Sequence, residues 1–329
     1  MTQRIYLDHA ATSPLRPEAK AAMDEGFRIW ANPSSPHAEG RKAKAALEDA
    51  RERIKKALGW DGELIFTSGA SEALWIALNR AKVDRRIVSA VEHDAVFRAA
   101  PDAEQFADDS AFDENCILAI QHVNSETGVI NPVDQMAETV RKTGALVLSD
   151  CAQSADKLAL PDADMLVVSA HKFGGPIGIG TLLVRDYNLL EPIGGHERGY
   201  RQGTENMPAA MGMAAALEAG EWGTTPADRA GFADHLGEDV LRFGDQNDYI
   251  FAVKHSSMSA QALLIRLDAM GFAVSAGSAC SSGTLKKSRV LDVFGVSDEV
   301  AASTIRVSIG WNTTPEELNK FADAWRSLT

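Results

Sequence analysis

The sequence predicts an α/β protein with a mostly parallel central sheet and a smaller α+β part. Three observations carry that expectation. Between residues 64 and 184, short apolar runs alternate with helical or loop stretches, as in a parallel sheet. The runs near 147 and 165–168 are apolar without alternation, as strands covered on both faces are. Beyond Thr225 helices and short strands mix without that order. The expected organisation is a large domain over residues 14–225 and a small domain formed by 1–13 with 226–329.

Each element follows in order. Ile5-Tyr6-Leu7 closes on the polar turn Asp8-His9-Ala10-Ala11-Thr12, and Pro14 and Pro17 lead into an amphipathic helix over 19–30. Asn32-Pro33-Ser34-Ser35-Pro36-His37 is a loop, since two closely spaced prolines exclude helix and central strand. It either caps the next helix, 38–58, or forms a wall facing a substrate. Residues 64–67 read as a strand, and Ser68-Gly69-Ala70-Ser71-Glu72 turns into a helix reaching about 81. That turn is either an ordinary serine cap or an anion site built on free N–H groups at a helix N-terminus.

The next strand, 86–91, ends in Glu92-His93-Asp94, where a histidine can stack on a planar ring or move protons. Strand 118–123 ends in Asn124-Ser125-Glu126, and a helix over 133–143 is stopped by Gly144. Two buried strands, a glycine-rich stretch over 173–180 and a strand at 181–184 complete the alternation. A polar loop over 194–206 precedes a helix at 208–221. Past Thr225 the sequence predicts a helix to about 243, a strand near 249–253 and a helix over 259–270. A strand at 272–275, a helix about Val290, a strand at 304–309 and a helix from Pro315 follow. The first dozen residues are expected to pack with this C-terminal part.

Composition narrows the function classes. A net charge of −13 with no basic cluster disfavours nucleic acid and anionic membrane as partners. The absence of a leader pattern and of an 18-residue apolar run makes a cytoplasmic protein the expectation. Three cysteines without CxxC spacing argue against a disulfide framework or a structural zinc site, and no metal is expected.

The chemistry-bearing residues close the strands. Asp150 ends one buried strand, and His171-Lys172 follow the next. Ligands of open α/β sheets bind outside the carboxyl ends of the strands, so both groups face one crevice. An amine and a carboxylate so placed match what pyridoxal phosphate needs: a lysine to hold it covalently and an acid to keep its ring nitrogen protonated. Cys116 and Cys151 read as packing residues. Cys280 lies in Ser275-Ala276-Gly277-Ser278-Ala279-Cys280-Ser281-Ser282-Gly283-Thr284, a run too small to build a core, which favours a working thiol. Arg306, among apolar neighbours, needs an anion: a substrate carboxylate or a structural salt-bridge partner.

On these residues the chain resembles the class V aminotransferase-like group of fold-type-I pyridoxal phosphate enzymes, and within it the cysteine desulfurases typified by NifS and IscS. The motifs are Tyr6-Leu7-Asp8-His9-Ala10-Ala11-Thr12, Asn32-Pro33-Ser34-Ser35, Thr67-Ser68-Gly69-Ala70-Ser71-Glu72, Glu92-His93 and His122-Val123-Asn124. Asp150-Cys151-Ala152-Gln153-Ser154, Ser169-Ala170-His171-Lys172, Gly195-His196-Glu197-Arg198-Gly199, Gly203-Thr204, Gly277-Ser278-Ala279-Cys280 and Ile305-Arg306 complete the set in family order. The resemblance implies that Lys172 holds the cofactor, Asp150 its ring nitrogen and Gln153 the side of its phenolic oxygen. It implies that His93 stacks on the ring and helps move protons. Ala70, Ser71, Ser169 and His171 would hold the phosphate, with Thr204 reaching the phosphate of a partner subunit in a homodimer. Arg306 and Asn32 would bind the carboxylate of L-cysteine, and Cys280 would carry its sulfur as a persulfide to an acceptor or scaffold protein.

Three departures stand out. Family members usually read Asn-Asn-Glu where this chain has Asn124-Ser125-Glu126, so Ser125 takes the position of a cofactor contact. The stretch between His93 and Asn124 is shorter than is typical of the family. Lys286-Lys287-Ser288 replaces a common Glu-Pro-Ser. The rivals are an aminotransferase or selenocysteine lyase on the same fold, and a non-catalytic sulfur-relay scaffold.

Overall fold

The computed structural model describes residues 4–276 and 288–328, which form two compact units. The first comprises residues 14–122 and 131–220. Its seven-stranded sheet runs in the order Glu63–Thr67, Gly180–Val184, Met165–Ser169, Leu146–Asp150, Cys116–Ala119, Arg85–Val88, Glu104–Gln105. Only Gly180–Val184 opposes the rest, being antiparallel to both its neighbours. The mostly parallel α/β sheet is therefore as expected.

Alternate residues of the strands enter different cores. Leu64, Phe66, Val147, Leu166 and Val168 face the helices Ala38–Ala57, Val133–Arg141 and Met207–Ala219. Ile65, Leu148, Met165, Val167 and Leu182 face Ala70–Arg80 and Asp94–Ala99. Helix Met207–Ala219 also lies tightly against Pro17–Ile29: a Cβ on Gly26 would stand 2.6 Å from the Pro208 Cα.

One buried ion pair pins the polar loop after residue 194. Glu197 accepts two hydrogen bonds from Arg51, at 2.9 and 3.0 Å, and a third from the Phe66 N–H at 2.8 Å. Their side chains are 3% and 1% exposed, and Arg51 also donates to Glu48 through Nε at 3.2 Å and to the Leu64 carbonyl at 2.6 Å. Glu197 and Arg198 both take left-handed backbone angles, which the pair helps to impose. Glu197→Ala should lower unfolding free energy by about 3–5 kcal/mol, because it removes the buried partner of Arg51 and leaves it only the partly exposed Glu48. A denaturant titration at unchanged m-value reads the loss, and a midpoint equal to the parent's would refute it.

The second unit holds residues 4–13, 123–130 and the described part of 221–329. An antiparallel sheet orders Ser275–Ala276, Thr304–Ser308 and Ile250–Lys254. Ile5–Tyr6 pairs in parallel with Phe272–Ala273, which brings the N-terminal residues back to the C-terminal part. The turn 123–130 is held here as well, through Ile130 N–H to Asp245 O and the Gln246 amide to Thr127 O. Phe321 packs against Phe232, Phe272 and Trp325 in the core.

Several boundaries differ from expectation. The helix expected to reach about 243 ends at Leu236, and Gly237 turns the chain through a positive φ. The strands expected at 86–91 and 118–123 are ladders only over Arg85–Val88 and Cys116–Ala119, with isolated backbone bonds from Ser89, Ile120 and His122 continuing beyond them. The single strand expected at 272–275 is two short ones, each paired to a different partner.

Candidate active site

Within the first unit, the carboxyl ends of the parallel strands gather the expected groups. Asp150 closes Leu146–Asp150, and Lys172 stands in the tight turn Ala170–Lys172 directly after Met165–Ser169. His93 caps the helix Asp94–Ala99, its Nδ1 accepting the Ala95 N–H at 3.1 Å. That leaves the proton of the neutral ring on Nε2.

The three groups lie close enough to feel one another's charge. Burial pushes the Asp150 carboxyl up, opposed by the Ala152 N–H at 2.9 Å and by His93 and Lys172. Burial lowers His93, with Asp150 opposing and Lys172 adding to the shift. Such an acid wants a cationic N–H, and a protonated ring nitrogen supplies one.

The phosphate end is equally specific. Helix Ala70–Arg80 starts at Gly69, whose φ of 148° offers no side-chain cap to the first N–H groups. A Cβ on Gly69 would meet only the Ser169 hydroxyl, at 3.9 Å, so the helix start and Ser169 border a shared open space. Ala70 and Ser71 present their N–H groups there, and an anion is the natural occupant. His171 is pushed down to about 4 by burial and then by Lys172 and Lys157, so it stands neutral at pH 7 as a hydrogen-bonding group. The donor set therefore fits the expected cofactor.

Other expected residues have fixed but separate places. The Gln153 side chain is buried, and its backbone carbonyl accepts from Lys157 Nζ at 3.2 Å. Asn32 is exposed, and its Oδ1 accepts the Ser34 N–H at 2.8 Å in an Asx turn. The capping of the following helix falls to His37, which accepts from the Gly40 N–H at 3.2 Å. Thr204 is exposed on its loop. Ser125 and Arg306 belong to the second unit, where Arg306 Nη1 donates to the Ser125 carbonyl at 2.9 Å. Cys280 lies outside the described residues.

Two features escaped the sequence reading. Lys157 sits one helical turn beyond Gln153, pushed down to about 7 by burial, with Asp156 opposing and Lys172 contributing. The i to i+4 spacing from Gln153 was the available signal. Arg16 bonds the Phe173 carbonyl through Nε at 3.1 Å and the Gly174 carbonyl through its N–H at 2.8 Å, and it pairs with Asp156 at 3.5 Å. It thereby ties the backbone beside Lys172 to the turn carrying Lys157.

The sequence profile of the family described as "Aminotransferase class-V" matches residues 5–111 and 108–321. The chain belongs to the class-V aminotransferase family. This class-V chain is 32% identical to "Cysteine desulfurase IscS" of Dictyoglomus turgidum, over 98% of this chain and 94% of that protein. It is 35% identical to the protein of the same name from Shewanella woodyi, over 99% and 94%. Among solved structures it resembles a NifS-like protein from Rickettsia africae, with TM-score 0.87, 25% identity and 99% of each chain covered. It also resembles a structure titled "SspA in complex with cysteine", with TM-score 0.81 and 27% identity over 94% and 100% of the two chains.

Proposed function

We propose that this class-V protein is a pyridoxal phosphate-dependent cysteine desulfurase, converting L-cysteine to L-alanine with the sulfur passed to Cys280. The observation that carries the reading is the meeting of Asp150, His93 and Lys172 at the carboxyl ends of the parallel strands, in a chain so similar to proteins named cysteine desulfurases. When bound, pyridoxal phosphate supplies a ring that spreads negative charge from the substrate Cα. Lys172 Nζ anchors that group and takes the Cα proton. The Asp150 carboxylate holds the proton on the ring nitrogen, and Gln153 faces the phenolic oxygen. His93, with its proton on Nε2, would pack against the ring and relay protons. The N–H groups of Ala70 and Ser71, with Ser169 and His171, hold the phosphate, and Ser125 adds a contact.

Arg306, assisted by Asn32, holds the substrate carboxylate. The Cys280 thiolate attacks the substrate sulfur; the Cβ–S bond breaks, an S–S bond forms, and a proton replaces sulfur on Cβ. The products are alanine and a Cys280 persulfide, which an acceptor or scaffold protein takes up. In the homodimer we infer, Thr204 reaches the phosphate bound by the partner subunit. A reducing cytoplasm suits an enzyme that needs a free thiol, and cell fractionation would locate it. Among the described residues, no helix is long and apolar enough to cross a membrane.

Purified protein, its mass read by sedimentation, should release alanine and, with a thiol reductant, sulfide from L-cysteine as a dimer. Keto-acid formation by amino transfer in place of alanine, selenide release from selenocysteine alone, or no turnover would reject the desulfurase reading.

A further inference from the structure

The second unit carries a polar network around Arg306 in which the function above gives Asp8 and Ser275 no role. Arg306 lies in the middle strand of a three-stranded sheet, and its side chain is 9% exposed. Nη2 donates to Asp8 Oδ1 at 2.9 Å and to the Ser275 hydroxyl oxygen at 2.9 Å. Ser275 Oγ in turn donates to the same Asp8 oxygen at 2.9 Å, closing a ring of three side chains. Nη1 donates to the Ser125 carbonyl. Nε is buried and has no hydrogen-bond partner among the described residues.

A guanidinium has five N–H groups in one plane, so three fixed bonds lock the plane and leave two N–H groups, one of them at the Nε edge. A buried N–H without a partner is costly, which marks that edge as the place of a ligand acceptor. Asp8 is itself held firmly. Its carbonyl accepts from the Ala11 N–H at 3.0 Å and from the Tyr6 hydroxyl at 3.1 Å, and it bridges Ser308, two residues along the strand from Arg306.

We propose that Asp8 and Ser275 are positioning residues that aim the Nε edge of Arg306 at the substrate carboxylate. The inference rests on Arg306 being the carboxylate anchor. Asp8 also neutralises Arg306 in the empty site and sets its orientation before substrate arrives, which limits what must be ordered on binding. A purely structural ion pair would need neither Ser275 in the ring nor an Nε left without a partner among the described residues.

The test is steady-state kinetics on the holoenzyme, with melting midpoint and cofactor absorbance recorded for every variant. Asp8→Ala should raise KM for L-cysteine by about tenfold, the loss of a charge-assisted hydrogen bond, while kcat changes far less. Asp8→Asn, which keeps an acceptor oxygen, should recover most of that loss. Ser275→Ala should shift KM in the same direction by less, and it carries the test if Asp8→Ala fails to fold. An unchanged KM in Asp8→Ala and Ser275→Ala, or losses that track melting midpoint and cofactor content, would overturn the proposal. Arg306→Lys separates the two levels. If it raises KM while the Asp8 and Ser275 variants are silent, only the positioning role fails. If it leaves KM unchanged, the carboxylate anchor fails and the positioning role with it.

Discussion

Lys172→Ala protein, supplied with cofactor, should turn over L-cysteine about 10²–10⁴-fold more slowly than the parent, the share a positioned proton acceptor contributes. The loss should be chemical and not structural. The turn carrying Lys172 is held from outside, by Arg16 on the Phe173 and Gly174 carbonyls. Asp150, Ser169 and the start of helix Ala70–Arg80 remain in place to bind cofactor without a covalent link, so visible absorbance after dialysis separates binding from turnover. Lys157 is the natural competitor, since it is a second amine near Lys172 and burial pushes it down to about 7. A Lys172→Ala protein at parental rate, with activity lost in Lys157→Met, would move the base to Lys157.

The sheet and its strand-end acid and lysine were legible because they rest on local pattern. Apolar runs long enough to be covered on both faces mark strands, and the residues after them fall at the carboxyl edge wherever those strands are parallel. Strand lengths were less legible. Apolar character continues through Ile120 and Val123, and single backbone bonds run on from Ile120 and His122 to Leu148 and Asp150, but the regular strand ends at Ala119. Polar partners distant in sequence leave no such trace. Asp8 and Arg306 are 298 positions apart, and Arg51 and Glu197 are 146 apart. Each pair forms only after the chain has folded, and neither residue of a pair announces the other by spacing. The same holds for Arg16, which no motif singled out and which is buried against Asp156.

Cys280→Ser should abolish alanine release and persulfide formation while L-cysteine still binds and perturbs the cofactor absorbance. Binding and removal of the Cα proton need Lys172, Asp150 and Arg306, whereas C–S cleavage needs a thiolate to receive sulfur, and a serine hydroxyl is far less ionised at neutral pH. The other two cysteines are poor substitutes for physical reasons. Cys116 is fully buried in its strand, with Sγ donating to the Asp113 carbonyl at 3.2 Å. Cys151 is also fully buried, and burial, together with the Asp150 charge, pushes its thiol up to about 12. A thiol with that pKa at pH 7 is almost wholly protonated, and burial denies it an acceptor protein. Cys116→Ser and Cys151→Ala should therefore keep turnover, at some cost in stability for the lost packing. Mass spectrometry of protein quenched during turnover decides the matter: the persulfide should sit on the peptide containing Cys280. Persulfide on Cys151, or alanine from Cys280→Ser at the parental rate, would exclude sulfur transfer through Cys280 and leave an aminotransferase-like reaction as the reading to test.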